Sequence, residues 1–390
     1  MRFSGAERSC CGIPAWVGEL GVKPCRGRGK HVGGRISGVA EHHARALRSS
    51  RAEPPGRASQ DLERRHIYTA ALQQFEELVT AARGVGPASR PLLLFYALSQ
   101  AGRAVVAAYG DAPQITAHGL AEDRNVQPDD VLHRRIVRVP RKDCTDAFGA
   151  VARATASEDL RHGAELGALW AALPGTYRVP PGSWQPEWRS ALTVDTGLLS
   201  RGGDADKLAL LVSNLGGNPH VRGFDVFANG RYPTLPADTK AAMRGGREIE
   251  AGSWVADIEI PATSNRDDLL DEIAPQLYAG QDRALIPTLP GESGVLTPLM
   301  LWWALLFGLS IVARYHPGPW TRALAVEGSK HAVPLEALLV KALELLPVLV
   351  YEAIFLNSAY DPPEGHGNVR QNVNTVAERS SWPSTQRPET

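Results

Sequence analysis

The sequence predicts an α+β protein, predominantly α, in which helical N- and C-terminal regions pack together around a β-containing middle segment. Three observations carry this. Apolar residues recur at helical spacing from residue 61 to about residue 172. Between Tyr177 and Pro261 the texture changes to short alternating runs set among Pro, Gly and Trp. Beyond that, two long apolar segments follow one another, and the first of them runs for twenty-one residues, Ser293 to Ala313, without a charge. Helical ends flanking a strand-bearing middle fit an α+β layout.

Residues 1–60 are rich in Gly, Arg and Ser and show no apolar periodicity, so they read as a disordered basic extension. A start codon assigned upstream of the true one would encode such a segment; recovery of these residues by peptide mapping of the native protein excludes that origin. The helical N-terminal region is expected over 61–175. A first helix spans 61–83, with Ile67, Ala71, Phe75, Leu78 and Ala82 on one stripe. After a Gly84–Pro87 loop a second starts at Ser89-Arg90-Pro91 and ends at Gly110. Residues 133–141 read as a basic strand, and 144–172 as a further helix stopped by Pro174-Gly175.

The middle region, 176–290, offers β-like runs at Ala191–Val194, Leu208–Ser213, Phe224–Phe227 and Trp254–Ile260. In the last of these Trp254, Ala256, Ile258 and Ile260 alternate with Asp257 and Glu259. The apolar C-terminal helical region covers 291–357, and a polar tail, 358–390, reads as disordered.

The uncharged run decides the class of the protein. It is long enough for a membrane span, which needs about 20 apolar residues. Yet Thr297-Pro298 is a helix start and Pro317 a stop, leaving roughly 26 Å of helix, short for an unaided crossing. The next segment, Pro334–Phe355, carries Glu336, Lys341, Glu344 and Glu352, which hydrocarbon penalises. The balance favours the buried central helix of a soluble core over membrane association through 296–313.

The formal charge is zero. Residues 1–60 carry +7, from eleven basic and four acidic residues, so the remainder carries −7. A mildly acidic body argues against a protein devoted to coating nucleic acid. Three of the four cysteines lie in the first 25 residues and only Cys144 lies in the body. No disulfide framework is therefore expected, and a reducing cytoplasm fits.

No recognisable catalytic motif appears. Gly29-Lys30-His31 lacks the spacing of a phosphate-binding loop, and Gly291-Glu292-Ser293-Gly294 is not a nucleophile elbow. The histidines show no metal-ligand spacing, so no metal site and no cofactor are expected. Asp257 and Glu259 read as an outer strand face rather than a working carboxylate pair, and Arg134, Arg135, Arg138, Arg141 and Lys142 as a solvated basic strand without aromatics to stack bases.

The helix over 91–109 is more informative. Tyr96, Ser99 and Arg103 fall on one face at i, i+3 and i+7, beside an apolar stripe. A guanidinium there either meets an acidic partner or faces an anion. Arg314 ends the central helix, where the macrodipole favours a cation, and His316 and Trp320 follow. With His118, these residues (Tyr96, Ser99, Arg103, His118, Arg314, His316 and Trp320) form the candidate binding set, for an anionic small molecule or a protein partner.

Three segments, RPLLLFYALSQAGRAVVAAYG at 90–110 with His118-Gly119-Leu120, LTPLMLWWALLFGLSIVARYHPGPW at 296–320, and the run ending LLPVLVYEAIF at 345–355, resemble the YaaC-like proteins, a bacterial family of uncharacterised function. The resemblance spans roughly 61–357 and implies a soluble cytoplasmic bacterial protein, with no activity attached. The tyrosine-bearing helix followed by His-Gly-Leu also resembles HEPN helical domains, many of which are ribonucleases that use an arginine four to six residues before a histidine. The body has no such pair: Arg103 to His118 is too long a gap and Arg314 to His316 too short. A nucleic-acid-acting enzyme of that type is the alternative to a binding module.

Overall fold

A computed structural model describes residues 33–356, apart from 126–127, 143–144, 177–180, 183–187, 195–206, 214–230, 235–239, 243–247, 251–252 and 260–282. The described residues form eight α-helices and nine strands: α1 Gly33–Ser49, α2 Leu62–Arg83, α3 Arg90–Tyr109, β1 Leu120–Glu122, β2 Arg135–Arg138, α4 Ala147–Ala154, β3 Ala164–Glu165, α5 Leu166–Ala171, β4 Leu192–Val194, β5 Lys207–Ser213, β6 Lys240–Ala242, β7 Glu248–Glu250, β8 Ser253–Glu259, β9 Arg283–Leu285, α6 Pro298–Tyr315, α7 Pro317–Ala323 and α8 Ala332–Phe355. The protein is thus α+β and mostly helical.

Helices α3 and α6 form the centre. Around α3 pack α2, α4, α6 and α8, and α5 covers another side of α6. Both central helices are long and apolar enough to cross a membrane, yet both lie inside this helical assembly. Leu299 to Ser310 is buried on every side, which is why no apolar stripe is visible in that sequence. The two axes approach closely at Gly102, where a side chain would run into the Trp303 ring. Pro298 starts α6, with Thr297 in the capping position, although the Thr297 hydroxyl makes no capping bond. At the other end Pro317 both ends α6 and opens α7, since proline fits the first turn of a helix and not its interior.

Helix α2 starts at Asp61, whose carboxylate accepts from the backbone N–H groups of Glu63 and Arg64. Arg64 is buried and reaches the frayed carbonyls at the end of α3: it donates to Gly110 O (2.9 Å) and Asp111 O (2.7 Å). A guanidinium at a helix C-terminus satisfies carbonyls that have no intrahelical partner.

The strands form two antiparallel sheets. The smaller has the order β1-β2-β3, pairing Leu120 with Arg138 and Ile136 with Ala164. The larger runs β6-β8-β5-β4-β9, with β7 also on β8; Leu208 pairs with Ile258 and Thr193 with both Leu211 and Ala284. This sheet follows from α5, since the Ala191 N–H donates to Ala171 O. Three of the four β-like runs read from the sequence are strands; Phe224–Phe227 lies outside the described residues.

Three expectations change. The stretch 1–60 is not uniformly unstructured: α1 packs on α8 through Leu47 and through His43, whose ring meets Tyr351 at 4.3 Å, and Ser50 Oγ bonds the Tyr68 hydroxyl. Composition missed α1 because its arginines and histidines mask few but buried contacts. The helix expected over 144–172 is two short helices, α4 and α5, separated by an irregular stretch and strand β3. Gly163 takes a left-handed φ of 74° there, and the alanine-rich sequence on either side carries no signal for the break. Finally, the basic strand is solvated only in part: the side chains of Arg134 and Arg138 are buried and ion-paired, whereas Arg141 and Lys142 are exposed.

Candidate functional site

The candidate residues divide between two polar assemblies on either side of β1. The first surrounds Arg138 and Glu122. Arg138 lies over the Phe148 ring and binds both Asp146 (2.9 Å) and Asp159 (2.6 Å), while it donates to Gly119 O (2.8 Å). Asp146 caps α4 by accepting from Gly149 N at 2.8 Å. Glu122 is bound by Arg134 (2.5 Å) through one oxygen and by His316 Nε2 (2.8 Å) through the other. Both arginines in this assembly therefore meet a carboxylate.

The second assembly has no carboxylate among the described residues. Helix α3 presents Tyr96 and Arg103, with Ser99 buried between their turns. Arg314, at the end of α6, donates to the Tyr96 hydroxyl at 2.8 Å and lies over the Tyr315 ring at 4.6 Å from its centroid. His118 stands on the loop before β1. Its ring meets Phe95 edge-on at 5.3 Å and Phe307 at 6.2 Å, and these two buried rings contact each other at 5.2 Å. Neither Arg103 nor Arg314 has an ion-pair partner among the described residues.

The loop holds His118 in place through its backbone. Ala147 N donates to Ala117 O (2.8 Å) and Phe148 N to His118 O (3.1 Å), so the first turn of α4 grips the residues around the imidazole. The next residue, Gly119, has φ 80°, and a side chain there would meet the Asp146 carboxylate. Only glycine fits a left-handed turn against a buried capping residue. The paired assembly thus serves as the mount for the unpaired one.

The electrostatics agree with the geometry. Burial against Phe95 and Phe307 lowers the pKa of His118, and Arg314 and then Arg103 lower it further. The residue as a whole stays exposed to solvent. Both effects favour the neutral imidazole, which offers one nitrogen to donate and one to accept. A phenol, an imidazole and two guanidiniums face one patch and can bind an anion by charge-assisted hydrogen bonds. The metal-ligating residue types form no group of three or more suited to a metal ion among the described residues.

Of the seven residues singled out in the sequence, Tyr96, Arg103, His118 and Arg314 come together. Ser99 is buried beneath them. His316 is turned to Glu122. Trp320 is buried, and its indole N–H donates to Ala88 O at 2.9 Å, which ties α7 to the start of α3. Sequence reasoning missed Phe95, Phe307 and Tyr315. Phe307 lies seven residues before Arg314 and hence on the same helix face, a spacing that could have found it.

The fold and site define a mostly helical α+β protein with a cationic patch, without a carboxylate among the described residues, where two central helices meet a strand loop. The chain belongs to the YaaC-like protein family, whose model matches residues 40–179 and 244–354. The match begins within α1, in agreement with the packing of residues 40–60. Comparison with curated proteins and with solved structures finds no match.

Proposed function

We propose that this YaaC-like protein is a cytoplasmic binding module for an anionic small molecule or an acidic segment of a protein partner, held by Tyr96, Arg103, His118 and Arg314. One observation carries the reading: two guanidiniums from different helices stand beside an imidazole with no carboxylate to neutralise them among the described residues. Acids meet Arg134 and Arg138 but, among the described residues, none meets Arg103 or Arg314, which leaves the latter pair for a partner from outside. The burial of α3 and α6 among other helices supports the soluble state; recovery of the protein in the membrane fraction after salt washing contradicts it.

Thermal unfolding of the full chain in rising sulfate tests the binding. Sulfate stabilises any fold modestly by exclusion from its surface. Specific binding adds a term that grows with the logarithm of ligand concentration, about 2.7 kcal/mol at a hundredfold excess over Kd. The wild type is expected to show that added term and an Arg103→Ala/Arg314→Ala variant to lack it. Identical sulfate responses in the two proteins overturn the reading.

A further inference from the structure

We infer that the patch is built for a doubly charged tetrahedral oxyanion, free or as the terminal phosphoryl group of a monoester, and that His118 takes up a proton as it binds. This rests on the binding function proposed above and names its ligand class and its coupling to pH.

Charge and direction give the class. Two permanent guanidinium charges stand without a counter-ion among the described residues, so a monoanion leaves one charge over while a dianion neutralises both. Arg103 comes from α3, Arg314 from the end of α6 and His118 from the loop before β1. A planar carboxylate has two oxygens and is matched by a single forked guanidinium. Donors arriving from three elements suit oxygens spread over a tetrahedron. Tyr96 adds a fourth donor, because its oxygen accepts from Arg314 and its own proton remains free to be given.

The coupling follows from what faces His118. From α3 come Arg103 and Tyr96, and from α6 comes Arg314. Behind Gly119, Arg138 on β2 is shared by Asp146 at the start of α4 and by Asp159, and neither carboxylate is among the charges that shift His118. Glu122 on β1 is taken by Arg134 and His316. The unbalanced field at the imidazole is therefore positive, which keeps the empty site's His118 neutral and its pKa below the ordinary value. A bound dianion cancels that field and accepts the imidazole N–H, so the pKa rises on binding. Affinity for an anion that does not itself titrate is then highest at low pH. It falls as pH rises through the bound-state pKa of His118, by up to about tenfold per unit for one proton, and is flat above it.

Calorimetric titration of the full chain at pH 7, in two buffers of different ionisation enthalpy and at constant ionic strength, tests both parts. The probes are sulfate, ribose 5-phosphate and acetate. Sulfate and ribose 5-phosphate are expected to bind with proton uptake, and acetate about tenfold or more weaker. His118→Gln is expected to keep the wild-type unfolding temperature, lose the uptake and flatten the pH profile. Tighter binding of ribose 5-phosphate than of sulfate assigns the monoester, and equal binding the free oxyanion. Acetate binding as tight as sulfate overturns the ligand class. Sulfate binding with the same proton count in His118→Gln overturns the coupling and leaves the binding site standing. Failure of all three probes to bind overturns the site itself.

Discussion

Two arginine-bearing regions lie on either side of strand β1, and the chain treats them differently. Around Arg138 and Glu122 each buried arginine has a carboxylate: Asp146 and Asp159 for Arg138 and Glu122 for Arg134, with the His316 ring on the other Glu122 oxygen. Around Arg314 the partners are a phenol and an aromatic ring, and Arg103 has no carboxylate among the described residues. Buried cations need acids to be tolerated at all, whereas half-exposed ones can wait in water for a ligand. The difference teaches which charges hold this fold and which are available to something else.

The sharpest way to break the comparison is at Arg138. Arg138→Ala leaves Asp146 buried without its counter-ion and releases Asp159 from its bond. Denaturant unfolding is expected to show a loss of about 3–5 kcal/mol. A loss below about 1 kcal/mol places Arg138 with the ordinary surface charges and removes the contrast.

Gly119 joins the two regions, so its substitution sharpens what each contributes. Gly119→Ala forces a side chain into a left-handed turn against Asp146 and is expected to cost about 1–3 kcal/mol. It also displaces His118, so the expected sulfate response shrinks while Arg103 and Arg314 stay in place. Full sulfate stabilisation in this variant separates His118 from the patch.

Much of the helical frame was legible in the sequence. Asp61, Pro91 and Pro298 mark helix starts that the structure keeps, because capping and the fixed φ of proline act locally. The break between α4 and α5 was not legible, since it depends on the Gly163 turn against β2 and not on a local breaker motif. The residues that gather at the patch could be named from helix spacing, but their neutralisation could not. Arg134 and Arg138 look no less solvated in sequence than Arg103. What separates them is the position of Glu122, Asp146 and Asp159, fixed only by the pairing of β1 with β2 and the docking of α4. Long-range placement of acids, not composition, decides which arginine is spoken for.

The smallest expected effect is the most decisive. Equilibrium denaturant unfolding of the ligand-free Arg103→Ala/Arg314→Ala variant tests directly whether those charges serve the fold. Removing two like charges that lack a carboxylate is expected to change stability by no more than about 0.5 kcal/mol in either direction. A loss comparable to that of Arg138→Ala contradicts the account, and makes Arg103 and Arg314 structural residues like their neighbours across β1.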